Sequence, residues 1–118
     1  MRILMAAAAL ALTLAACSSG GQTMNPPPSP PPAGATACPA TITVQGGPGS
    51  YSYSVPSCTI KVAAEVTITA NNTHPLIGSG LKTINSATTD QKLSFATPGT
   101  FNFKCGIHGS MTGTITVE

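Results

Sequence analysis

From about residue 37 to residue 118 the chain alternates apolar and polar residues in short runs, with turn residues between them. That pattern limits the fold more than any other feature. A period of two puts every second side chain on one face, which suits strands buried on one side only. The runs cover residues 41–44, 51–55, 59–62, 65–70, 92–95, 100–104 and 113–117. Gly46-Gly47-Pro48-Gly49 and Pro56 punctuate the early ones. β-Branched residues recur within the runs, and no segment of this part carries a helical stripe. Short strands at close intervals predict an all-β sandwich or barrel. About 80 residues can build only a small core, so a covalent staple would help.

The chain ahead of this region has a different character. Met1-Arg2 leads into an apolar run over residues 3–16, and Cys17 follows. One basic residue and a short apolar segment predict a secretory signal, too short to span a bilayer as a stable helix. Leu14-Ala15-Ala16-Cys17 resembles a bacterial lipobox, which implies that Cys17 carries lipid at the processed N-terminus. Pro26-Pro27-Pro28-Ser29-Pro30-Pro31-Pro32 then fixes φ repeatedly and removes hydrogen-bond donors. This stretch reads as polyproline II or disordered linker, with a reach on the order of 60 Å at ~3.1 Å per residue. The expected plan is a lipoprotein signal peptide over 1–16, a lipid anchor and linker over 17–37, and one domain over 38–118. Such a protein is exported and faces the periplasm or the extracellular side. Ser18, where inner-membrane retention uses Asp, favours the outer membrane in a Gram-negative host.

Charge is sparse. After processing, four lysines stand against three carboxylates, a formal charge of +1. With no basic run and no Trp, the chain lacks the footprint of a nucleic-acid binder.

Chemistry concentrates near the C-terminus. Phe101, Phe103 and Cys105 share one face of a predicted strand, and Gly106-Ile107-His108-Gly109-Ser110-Met111 follows. Cys105, His108 and Met111 thus fall at C-x2-H-x2-M spacing in one tight loop. The other histidine of the two, His74, lies in Asn71-Asn72-Thr73-His74-Pro75-Leu76, just past another predicted strand. Taken singly, each of these residues is ordinary: a buried Cys, a packing Met, a solvated loop His. Their joint placement is not. Structural zinc sites take four N or S ligands without Met, whereas two imidazoles, one thiolate and a weak axial thioether suit copper.

These residues resemble the cupredoxins, and most closely the small plastocyanin- and amicyanin-like members. The resemblance covers residues 66–118 and rests on the segments 66–76 and 97–111. It implies a cupredoxin-like Greek-key β-sandwich holding one Cu(I)/Cu(II) ion. His74, Cys105 and His108 would be the strong ligands and Met111 the weak axial one. In many cupredoxins an Asn follows the first His and its N–H donates to the Cys sulfur; here Pro75 has no N–H. Thiolate donation then falls to the loop, with the Ile107 N–H as candidate. The implied function is one-electron transfer by a monomer. His108, with Leu76 and Ile77 in an apolar rim, would dock transiently to a redox partner such as a cytochrome or a copper oxidase or reductase. Sequestration or delivery of copper is the rival role, though the chain lacks the Met and His tracts of a high-capacity binder. An enzyme is disfavoured, because a second copper site would need histidines beyond the two present.

Four cysteines must be placed: Cys17, Cys38, Cys58 and Cys105. With Cys17 on lipid and Cys105 on metal, a Cys38–Cys58 disulfide leaves none over and contributes roughly 3 kcal/mol in the chain-entropy model. Other pairings stay open at this point.

Overall fold

The computed structural model describes residues 35–118. The signal segment, Cys17 and the proline-rich run lie outside the described residues. Within them the chain forms the strands β1 (Thr41–Ile42), β2 (Val44–Gln45), β3 (Ser52–Tyr53), β4 (Ser57–Ile60) and β5 (Glu65–Ile68). There follow β6 (Leu76–Gly80), β7 (Ile84–Ala87), β8 (Gln91–Ser94), β9 (Gly99–Cys105) and β10 (Thr112–Val117). One sheet has the order β4-β10-β9-β6-β7, a second has β1-β5-β8, and β2 pairs with β3 in a small ribbon. The β4–β10 and β1–β5 pairs are parallel and the others antiparallel. The result is an all-β sandwich, as the alternation predicts.

The core follows from the same alternation. In β9 the side chains of Phe101, Phe103 and Cys105 are buried while Thr100, Asn102 and Lys104 are not. Val66 and Ile68 of β5 and Leu93 of β8 from the other sheet, and Ile115 and Val117 of β10 beside β9, join them in one cluster. Each fully buried Leu, Ile or Phe contributes about 2 kcal/mol relative to leaving it in water. Phe95, Phe101 and Phe103 form a run of aromatic contacts at centroid distances of 5.4 and 6.1 Å.

Two strands depart from the sequence expectation. β6 and β7 fall between the predicted runs 65–70 and 92–95, where no strand is expected, and β6 lies inside the sheet between β9 and β7. The reading failed because Leu76-Ile77-Gly78-Ser79-Gly80 is glycine-rich, which ordinarily weakens a strand. Here the glycine makes room. A Cβ on Gly78 would stand 2.4 Å from Cζ of Phe101, and one on Gly113 would stand 2.2 Å from Cζ of Phe103. The two rings therefore lie over glycines of the strands on either side of β9, and bulk is traded between neighbours.

Cys38 and Cys58 are joined by a disulfide. Cys58 sits in β4 opposite Ile115 of β10. Pairing begins just ahead of the bridge, where the Thr59 N–H donates to the Thr36 carbonyl and the Cys38 N–H donates to the Thr59 carbonyl. The segment entering the domain is thus fixed to the sheet that carries Cys105.

Candidate metal centre

Cys105 ends β9 with its side chain 1% exposed and its thiol free. The chain then turns through six residues into β10, and the turn is closed by its own backbone. The Cys105 N–H donates to the Met111 carbonyl at 2.9 Å, and the Met111 N–H donates to the His108 carbonyl at 2.9 Å. These bonds bring Met111 back beneath the loop, where it is fully buried. His108 is left at the boundary, half-buried.

His74 arrives by a different route. The Asn71 side-chain oxygen accepts from the Thr73 and His74 N–H groups, both at 2.9 Å. Asn71 and His74 also exchange backbone bonds at 3.2 and 3.1 Å. This tight turn follows Ala70, whose N–H donates to the Asp90 carboxylate at 2.9 Å. Past His74, the Pro75 carbonyl accepts from the Gly106 N–H at 2.8 Å, joining the two loops. Pro75 thus cannot donate toward the sulfur, but it braces the residue directly after it.

The side chains converge. Sγ of Cys105 lies 3.4 Å from Nδ1 of His108 and 4.0 Å from Nδ1 of His74. The candidate donor atoms of these three residues all fall within 4.8 Å of one another. Nitrogen and sulfur donors bound at ~2.0 and ~2.3 Å around one ion in a trigonal plane stand about 3.5–3.8 Å apart, so the spacing fits a single ion. Burial, and secondarily the neighbouring His108, push the His74 pKa below its usual 6.5. A neutral imidazole is the form that ligates a metal. With Met111 buried at the end of the same loop, the donor set suits copper better than structural zinc.

Two neighbours of the site were not singled out by sequence reasoning as functional. Tyr51 packs its ring on both imidazoles, with centroids 4.6 Å from His74 and 4.7 Å from His108. Tyr53 meets Phe103 edge-on at 4.8 Å, and its buried hydroxyl has no hydrogen-bond partner among the described residues. Burial, and then the nearby Cys105, push the Tyr53 pKa up to about 12. Alternation did put Tyr51 and Tyr53 on one face; which loop that face would meet depends on long-range packing.

The expected docking rim needs one correction. Leu76 is fully buried, because it opens β6 opposite Cys105 and points into the core. It cannot touch a partner. Ile77 is half-buried and Ile107 is 61% exposed at the loop tip.

No protein-family model matches this chain, and no curated protein sequence does. Solved structures do match it. Oxidised plastocyanin from Dryopteris crassirhizoma aligns over its whole length with 67% of this chain, at 21% identity and a TM-score of 0.53. A purple cupredoxin from Nitrosopumilus maritimus aligns over its whole length with 68% of it, at 23% identity and a TM-score of 0.52. A copper-containing nitrite reductase from Thermus scotoductus matches 69% of this chain with 22% of its own length, at 19% identity and a TM-score of 0.51. At these identities the likeness establishes the fold: this is a cupredoxin sandwich.

Proposed function

We propose that the protein is a one-electron carrier that holds a single copper ion through His74, Cys105, His108 and Met111. The observation that carries this reading is the convergence of two imidazoles and a buried free thiol within 4.8 Å. Bound copper supplies a Cu(I)/Cu(II) couple, and this ligand set serves electron transfer in blue-copper sites. The chain's part is to hold the donors still and dry. Cys105 and Met111 are anchored by the closed loop, and His74 by its Asn71 turn. His108, half-buried, is the route between the site and the surface. Around it Gly106, Ile107 and Gly109 are exposed and Ile77 half-exposed, an uncharged surface suited to brief docking with a redox protein such as a cytochrome.

The reading extends to the cell envelope. Cys17 would carry lipid after removal of residues 1–16, and the proline-rich linker would hold the domain off the membrane. Labelled palmitate should enter the full-length chain and be absent from Cys17→Ser; equal labelling would end the tether.

Adding one equivalent of Cu(II) to the metal-free domain should give an intense thiolate-to-copper charge-transfer band. Absence of the band, or its survival in Cys105→Ser, would sink the copper reading. Rapid reversible exchange with a cytochrome then separates a carrier from a copper store. The Ile107 N–H is proposed as the sulfur's donor in place of the one Pro75 lacks. Ile107→Pro should shift the reduction potential, and an unchanged potential in a copper-loaded variant counts against it.

A further inference from the structure

We propose that Tyr51 is a positioning residue of the metal centre, its ring clamping both imidazoles at their working angles before any metal arrives. The proposal goes beyond the copper reading, since half of it concerns the metal-free protein.

The geometry is a three-ring cluster. Tyr51 meets His74 edge-on at an interplanar angle of 72° and lies tilted on His108 at 52°, while the two imidazoles are 4.8 Å apart at 33°. A His on a loop can rotate about its χ angles, and both rotations are opposed here by one aromatic ring. His108 needs this more than His74. His74 is buried and its backbone is pinned by Asn71, whereas His108 stands half-buried between exposed Ile107 and Gly109. Tyr51 is itself half-buried, so its ring forms part of the boundary between the donors and water.

The hairpin that delivers Tyr51 is built tightly enough for the task. Gly46 has φ +92, and a Cβ there would stand 2.2 Å from the Ser50 carbonyl oxygen. Only glycine allows the turn to close that far. The Ser50 N–H donates to the Gly47 carbonyl at 2.9 Å inside the turn. Beyond Tyr53, the Ser54 N–H donates to the Thr43 carbonyl at 2.8 Å, and the Thr43 N–H donates to the Ser54 hydroxyl at 3.0 Å. Tyr53, two residues on, seats β3, which Tyr51 leads into, against Phe103. Tyr51 is therefore held between a closed turn and a buried anchor.

Three variants test this: Tyr51→Phe, Tyr51→Leu and Tyr51→Ala. Phe keeps the ring, Leu keeps apolar cover without a flat face, and Ala keeps neither. In metal-free protein, NMR relaxation of the His74 and His108 rings should match wild type in Phe and show added motion in Leu and Ala, most strongly at His108. In loaded protein, Cu(I) affinity should be kept by Phe and fall about tenfold in Ala, the size of one or two lost aromatic contacts. Wild-type ring dynamics and affinity in both Leu and Ala overturn the proposal. So does a Phe variant as impaired as Ala, which would make the hydroxyl the operative group. Near-UV circular dichroism identifies any variant that has lost its fold, and Leu serves if Ala does. If wild type binds no copper, the carrier reading fails on its own while the metal-free comparison still judges Tyr51.

Discussion

The two loops that meet at the candidate metal centre differ in how far they rest on side chains. The Cys105–Met111 loop is a turn between paired strands, closed by its own backbone bonds and resting on buried Met111. The His74 loop also has two backbone bonds between Asn71 and His74, but it leans in addition on side-chain oxygens, that of Asn71 for its turn and that of Asp90 for the segment that feeds it. A backbone ladder is robust to substitution, because every residue supplies the same groups. A turn that adds one amide oxygen to its backbone bonds is less so. Three of the four candidate ligands thus share the sturdier frame, and the fourth rests in part on replaceable side-chain atoms.

The largest expected effect strikes the base of the sturdy side. In Gly113→Ala the new methyl must displace the Phe103 ring, which neighbours Tyr53 and shares a face with Cys105. Urea unfolding should show a loss of about 3 kcal/mol, at the upper end for an overpacked core. A loss below about 1 kcal/mol would mean that the ring yields freely and does not seat the loop. Next comes Asn71→Ala, expected to cost about 1 kcal/mol in stability through lost hydrogen bonds to backbone. Amide exchange should accelerate at Thr73 and His74 while Met111 keeps its protection; equal acceleration at Met111 would erase the contrast between the loops. Tyr53→Phe should act in the other direction. Removing a buried hydroxyl that has no partner among the described residues should raise stability by up to about 1 kcal/mol, and a clear loss would show that the hydroxyl is satisfied. The smallest effect is a pH slope of the metal-free protein. With its folded pKa depressed, His74 contributes stability that is full above the unfolded value of 6.5 and is lost as pH falls through the folded value. His74→Gln should flatten that slope below about pH 6.5.

How far the sequence could be read follows the same division. Cys105, His108 and Met111 lie within seven residues at a strand end, so spacing alone brings their backbones together. β9 and β10 were equally legible, because their alternation is undisturbed. β6 was not, since Gly78 and Gly80 look like loop until Phe101 is known to cover Gly78. That error also sent Leu76 to the surface. Tyr51 and Tyr53 gave a period-two signal, yet nothing local says that their face meets the two imidazoles across the sandwich. Contacts set by short spacing were readable; contacts set by which strands become neighbours were not.

The Cys38–Cys58 disulfide has a mechanical consequence. A pull on the chain ahead of Cys38 crosses directly to Cys58 and enters β4, which lies beside β10. From there tension runs along the parallel pairing toward the strand that closes the ligand loop. Residues 39–57, which include the hairpin bearing Tyr51, are bridged out of that path. The covalent link works as a strain relief: a domain held by its leading end and engaged at the loop bearing His108 could be tugged between the two without distorting the ring that lies on its imidazoles.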